Sequence, residues 1–116
     1  TQLEIEGASG LKKNSVDKLH PIVARGFLID VAGAKGVANL EAGYEITMAD
    51  VRDALSKQGL ADIKFLPGDG IFFRTGWGVH WIKDNAKFNS GEPGIGMEVA
   101  RWLSDMVQAG VVGSDT

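Results

Sequence analysis

Arg74 and Thr75 directly follow a short apolar run, Ile71-Phe72-Phe73, and Gly76 separates them from Trp77. A guanidinium, a hydroxyl and an indole beside a free-moving backbone can bind and orient a small polar or aromatic molecule. The run before them opens on Pro67-Gly68-Asp69-Gly70, a turn signal. A short apolar run bounded by turn residues predicts a strand buried on both faces. On this reading the strand delivers side chains to a site. The alternative is a plain strand end whose Arg74 pairs with a nearby carboxylate. Loops at strand ends carry function often enough to keep the first reading open.

The elements that must position these residues follow from pattern. Residues 22–31 (IVARGFLIDV) predict a strand, with Gly26 marking a bulge or close approach. Thr47-Met48-Ala49-Asp50 predicts a helix start with a reciprocal cap. Met48, Val51 and Leu55 give that helix an apolar stripe over 47–58, and Gly59 fits a left-handed stop. A strand over 70–75 follows. Val99, Leu103, Met106 and Val107 predict a second helix over 97–109, capped by Gly110, before a strand over 111–115. Residues 32–43 read as a glycine-punctuated loop with room for one short turn, anchored by Leu40. Near the start, Leu3 and Ile5 suggest a short edge strand, residues 7–10 a turn, and Ser15 the beginning of one helical turn. The order is βαβαβ, an α/β chain with a mainly parallel sheet and helices packed on it.

In open parallel sheets, ligands bind outside the carboxyl ends of the strands. Those ends carry Asp30, then Arg74, Thr75 and Trp77, then Ser114, Asp115 and Thr116. The competing reading is an ion pair from Arg74 to Asp30 or to Asp115 that merely closes the edge.

Composition bounds the rest. The chain has 116 residues, enough for one domain with one core, and 44% hydrophobic residues exclude a disordered chain. A net charge of −3 without a basic cluster argues against a nucleic-acid partner. No apolar run approaches the roughly 20 residues of a membrane span. The absence of cysteine and of a signal pattern fits a cytoplasmic setting. His20 and His80 are far apart, and neither a zinc motif, a phosphate loop nor a nucleophile elbow is present. His80 reads as a half-buried structural residue. Residues 91–96 precede a helix and could face an anion, although a plain turn explains them as well.

Five stretches in order resemble one family, the cyclase family of metal-dependent hydrolases, which includes bacterial kynurenine formamidase and isatin hydrolase. Residues 21–31 (PIVARGFLIDV) resemble its "PIVARGVLLDV" strand, and residues 43–51 its I-T-x-x-D helix start. Residues 67–77 resemble its "PGD-apolar-RTGW" strand. Residues 89–103 resemble its N-x-GEPGIG…A-x-WL segment, and residues 112–116 its VG-x-DT strand. The resemblance implies a larger β/β/α fold of which this chain is a central part, spanning residues 1–116 as a single domain or a fragment of one. The family's metal motif, H-x-G-T-H-x-D with a further His, is not in the chain, so its catalytic residues are unknown here and no metal ligand carries over. In the parent enzyme the resemblance implies a divalent ion, zinc or manganese; for this chain alone it implies none. It further implies hydrolysis of C–N bonds in N-formyl amides, cyclic imides or lactams, with Arg74, Thr75, Trp77 and Asp115 as walls near the pocket. Trp81, Phe88 and Trp77 would then face a substrate ring, or else pack a core or a contact between copies of a homo-oligomer. The alternatives are a binding or assembly module that kept the scaffold without its centre, and an unrelated flavodoxin-like domain.

Overall fold

The computed structural model describes residues 6–7, 10–11 and 15–116. Its centre is a three-stranded parallel sheet of β3 (Gly26–Asp30), β5 (Gly70–Arg74) and β7 (Val111–Ser114), in the order β3-β5-β7. Two smaller pairs accompany it. β1 (Glu6–Gly7) and β2 (Gly10–Leu11) pair antiparallel, and β4 (Glu45–Ile46) and β6 (Gly94–Ile95) pair parallel. The expected helical turn is present at Val16–Lys18; residues 8 and 9 of the turn expected over 7–10, and the strand expected around Leu3 and Ile5, lie outside the described residues.

The sheet register explains which side holds the core. Alternate residues point to opposite faces of a strand. Ile29, Ile71 and Phe73 share one face and are buried. Against this face pack α1 (Val31–Ala34) and α2 (Met48–Lys57), with Val31, Val51, Ala54 and Leu55 in the same core. α2 forms where the sequence predicts. Thr47 and Asp50 cap each other reciprocally, and Gly59 takes the left-handed conformation (φ 73°) just beyond the helix. Leu40 is buried and anchors the following loop.

Four expectations need correction. The strand expected over 22–31 begins only at Gly26, because its partner β5 begins at Gly70, after the Pro67-Gly68 turn; Val23 is almost fully exposed. The apolar run is not buried on both faces. Phe72 and Leu28 occupy the side away from the helices and remain about half exposed. The one short turn allowed in the loop over 32–43 is α1, capped by Asp30 accepting from Gly33 N. The helix expected over 97–109 is α3 (Met97–Arg101) continuing as a π-helical segment, Trp102–Val107. That segment ends at Gln108, which adopts the left-handed conformation (φ 52°) expected nearer Gly110. No helix among the described residues is long and apolar enough to cross a membrane.

Candidate functional site

At the carboxyl ends of the strands, β5 stops at Arg74 and the chain turns sharply. Gly76 makes the turn with φ 76°, and a side chain there would collide with the Ala38 carbonyl oxygen. The close approach is fixed by Leu40 N donating to Thr75 O (2.8 Å). Only glycine meets both demands.

Asp115 holds this turn from the neighbouring strand. Its Oδ1 accepts from Thr75 N (2.7 Å) and Thr75 Oγ1 (2.6 Å), and its Oδ2 from Gly76 N (2.8 Å). The Thr75 hydroxyl in turn accepts from Trp77 N (3.1 Å). Both backbone groups of the turn therefore find partners that a bare strand end would lack. Gly78 runs so close to the Asp115 backbone that a side chain would not fit without a shift.

Arg74 does not pair with Asp115. Its Nη1 donates to Asp30 Oδ1 (2.7 Å), the residue directly opposite it on β3. Burial pushes the Asp30 carboxyl up, but the hydrogen bonds from Arg74 and Gly33 N outweigh it, leaving the group below the usual carboxylate range. Among the described residues, Nη1 is the guanidinium nitrogen of Arg74 that hydrogen-bonds a side chain.

Arg74 and Asp115 still face one depression. With Leu28, Phe72, Phe73 and Ser114 they line a hollow of about 470 Å³. Of the residues expected at the strand ends, Arg74, Ser114 and Asp115 meet there. Thr75 and Trp77 lie beneath it, both almost fully buried, and shape the turn. Trp77 belongs to a 3-10 turn (Trp77–His80), and its Nε1 donates to Phe88 O (3.1 Å). Trp81 and Phe88 form an edge-to-face pair at 5.0 Å. They do not line the hollow, and Trp81 is 60% exposed. Thr116 turns instead into a neighbouring apolar slot with Ile46 and Phe73.

His80 packs edge-on against Trp77 (4.8 Å), and its buried Nε2 has no hydrogen-bond partner. Leu28 and Phe72 entered the hollow without being expected there. The signal was available: with Ile71 and Phe73 facing the helices, period-2 alternation places Phe72 on the opposite side. Among the described residues, no group of three or more His, Cys, Asp or Glu side chains lies close enough to hold a metal ion. These residues therefore do not fit the divalent ion that the resemblance implies.

Two solved structures share this architecture. One, described as a novel cyclase, superposes with a TM-score of 0.66 at 34% identity, covering 79% of this chain and 30% of its own. The other, isatin hydrolase A from Ralstonia solanacearum, superposes with a TM-score of 0.64 at 24% identity, covering 89% of this chain and 39% of its own. The chain thus spans roughly a third of the length of the structures it matches. No curated protein matches it. A family model described as "Putative cyclase" matches residues 4–116, and the chain belongs to this cyclase family.

Proposed function

We propose that this chain is the central part of a hydrolase that opens C–N bonds in N-formyl amides, cyclic imides or lactams. The observation that carries the reading is the hollow at the carboxyl ends of parallel strands, which Arg74, held by Asp30 through Nη1, lines together with Asp115. Ligands of open parallel sheets bind in this position. A partly exposed guanidinium can donate to the carbonyl of an amide and fix its plane. Thr75, Trp77 and Asp115 are positioning residues, because they set the turn from which Arg74 projects. Trp81 and Phe88 offer an aromatic edge to a substrate ring approaching from the exposed side. The described residues form no metal site, so ligands for zinc or manganese would come from other parts of the parent domain. A homo-oligomer belongs to the same reading, with the exposed Val79 and Ile82 as its contact.

The test uses the longest natural chain that contains these 116 residues, supplied with zinc or manganese. An N-formyl aryl amide, a cyclic imide and isatin are followed by the absorbance change on ring or bond opening. Turnover of at least one is expected, with Arg74→Gln lowering kcat/KM about tenfold or more, the loss of roughly one charge-assisted hydrogen bond. No turnover of any of the three would overturn the reading and favour a binding module built on the same scaffold.

A further inference from the structure

Asp30 is held at more points than an ion pair needs. Its carboxylate accepts from Gly33 N (2.7 Å) and from Arg74 Nη1 (2.7 Å). Its backbone is held separately, by Gln58 just beyond the last residue of α2. Gln58 Oε1 accepts from Asp30 N (3.1 Å), and Gln58 Nε2 donates to Leu28 O (2.8 Å). These two backbone groups point away from β5, since Gly70 N donates to Arg25 O and alternate residues of a strand bond on opposite sides. They flank Ile29 as the two bonds from one residue of a parallel strand would. The Gln58 carboxamide thus stands in for a peptide group at this point of β3. Lys57, the preceding residue, donates to Ala34 O (2.7 Å), so the end of α2 reaches α1 as well. A hollow of about 220 Å³ bordered by Asp30, Gly33, Lys57 and Gln58 adjoins the contact. Hydrogen bonds rather than close packing therefore hold the carboxamide.

We propose that Gln58 is a positioning residue for Arg74: by holding the backbone of Asp30 it fixes the carboxylate that aims the Arg74 guanidinium along the hollow at the strand ends. The inference rests on the reading of that hollow as a substrate site. Arginine is a long side chain with many rotamers, and one contact at Nη1 selects among them only as firmly as its acceptor is itself held. Asp30 is the last residue of β3, where the ladder to β5 ends and a strand would otherwise fray. A side chain at Gly33 would collide with the Asp30 carboxylate, so the carboxylate also needs its exact place above α1. Gln58 does not line the hollow and acts through Asp30 alone.

Gln58→Met tests the idea in the longest natural chain containing this segment. It keeps the length of the side chain, removes both hydrogen bonds and lies at an exposed position, so the protein should fold. Two readouts decide. In carbon NMR, the Asp30 carboxyl of the Gln58→Met protein should titrate higher than in the parent, nearer the ordinary aspartate range. That rise should be smaller in an Arg74→Gln background, where the ion pair is already gone. With whichever of the three substrates turns over, Gln58→Met should lower kcat/KM about fivefold, the worth of roughly one hydrogen bond. In the Arg74→Gln background it should lower it no further. An unchanged Asp30 titration would overturn the proposal, and so would an equal rise in both backgrounds. Equal losses of kcat/KM with and without Arg74 would overturn it too, because a merely structural role predicts them. If none of the substrates turns over, the hydrolase reading fails, and the Asp30 titration in the two backgrounds still decides whether Gln58 positions Arg74.

Discussion

Two ion pairs bracket the same pair of strands, with their charges reversed. At the amino end, Arg25 just before β3 meets Asp69 just before β5; at the carboxyl end, Asp30 of β3 meets Arg74 of β5. The first is closed. Arg25 grips Asp69 with Nε (3.0 Å) and Nη2 (2.6 Å), and Nη2 also donates to Lys64 O. Asp69 accepts from Leu66 N as well and is almost entirely buried. The second is open, with a single contact from Arg74 Nη1 and both side chains about a third exposed. The same chemistry serves as a lock at one end and as a single contact at the other. The two arginines are similarly exposed, so burial of the carboxylate and the number of hydrogen bonds made, not the presence of an ion pair, separate a structural edge from a candidate site.

Gly76→Ala should have the largest effect, because it forces a left-handed Cβ against the Ala38 carbonyl. Strain and overpacking together predict a loss of about 3 kcal/mol in urea unfolding. A loss below about 1 kcal/mol would mean that the carboxyl-end turn is not fixed, and the contrast with the amino end would then change its meaning. Asp115→Ala should follow, at about 2 kcal/mol. It leaves Thr75 N and Gly76 N without their acceptor. Asp115→Asn should recover part of that loss, since one amide oxygen can still accept.

Acid should act on both ends. Arg25 holds the Asp69 carboxyl below its usual range, against the opposing effect of burial, and Asp30 is also lowered. Asp50 is the most shifted. Burial raises it, but hydrogen bonds from Lys35, Thr47 and Tyr44 bring it down to about 2. Each folded-state value lies below the unfolded one, near 3.9 for an aspartate. The stability these groups add is therefore complete above about pH 4 to 5 and is lost as pH falls towards 2. Tm should be flat from pH 7 to 5 with respect to these three groups and then drop, and Asp50→Asn should make the drop shallower. A drop in the Asp50→Asn protein as steep as in the parent would exclude Asp50 as a main contributor.

Arg74→Gln should have the smallest effect on stability, below about 1 kcal/mol for an exposed pair. Asp69→Ala should lower Tm by more than Asp30→Ala does. The reverse order in thermal melts would erase the distinction between closed and open ends.

Much of this arrangement was legible locally. The reciprocal cap of Thr47 and Asp50 and the left-handed Gly59 depend on residues three or four positions apart, so short-range chemistry reveals them. The parallel βαβ order follows from alternating patterns. The choice of partner for Arg74 was not legible, because Asp30 and Asp115 were equally plausible until the register placed Arg74 opposite Asp30. The Arg25–Asp69 lock was missed for the same reason. Strand limits at Gly26 and the short pair β4–β6 depend on where a distant partner begins or lies, which period alone does not encode. At the site, the position of Arg74 and Asp115 was foreseen, whereas the burial of Thr75 and Trp77 came from tertiary packing.

The reversed pairs also bear on how the strands find each other during folding. Both link residues 44 positions apart, the same offset as the β3–β5 register. A slip by one residue turns apolar faces outward and is rejected by burial. A slip by two keeps the faces, yet it would set Asp30 opposite Phe72 or Gly76 and Arg25 opposite Pro67 or Ile71. Both charges would then lose their partners at once. The two pairs therefore work as a parity check on strand alignment: each end verifies the other, and only one alignment passes both.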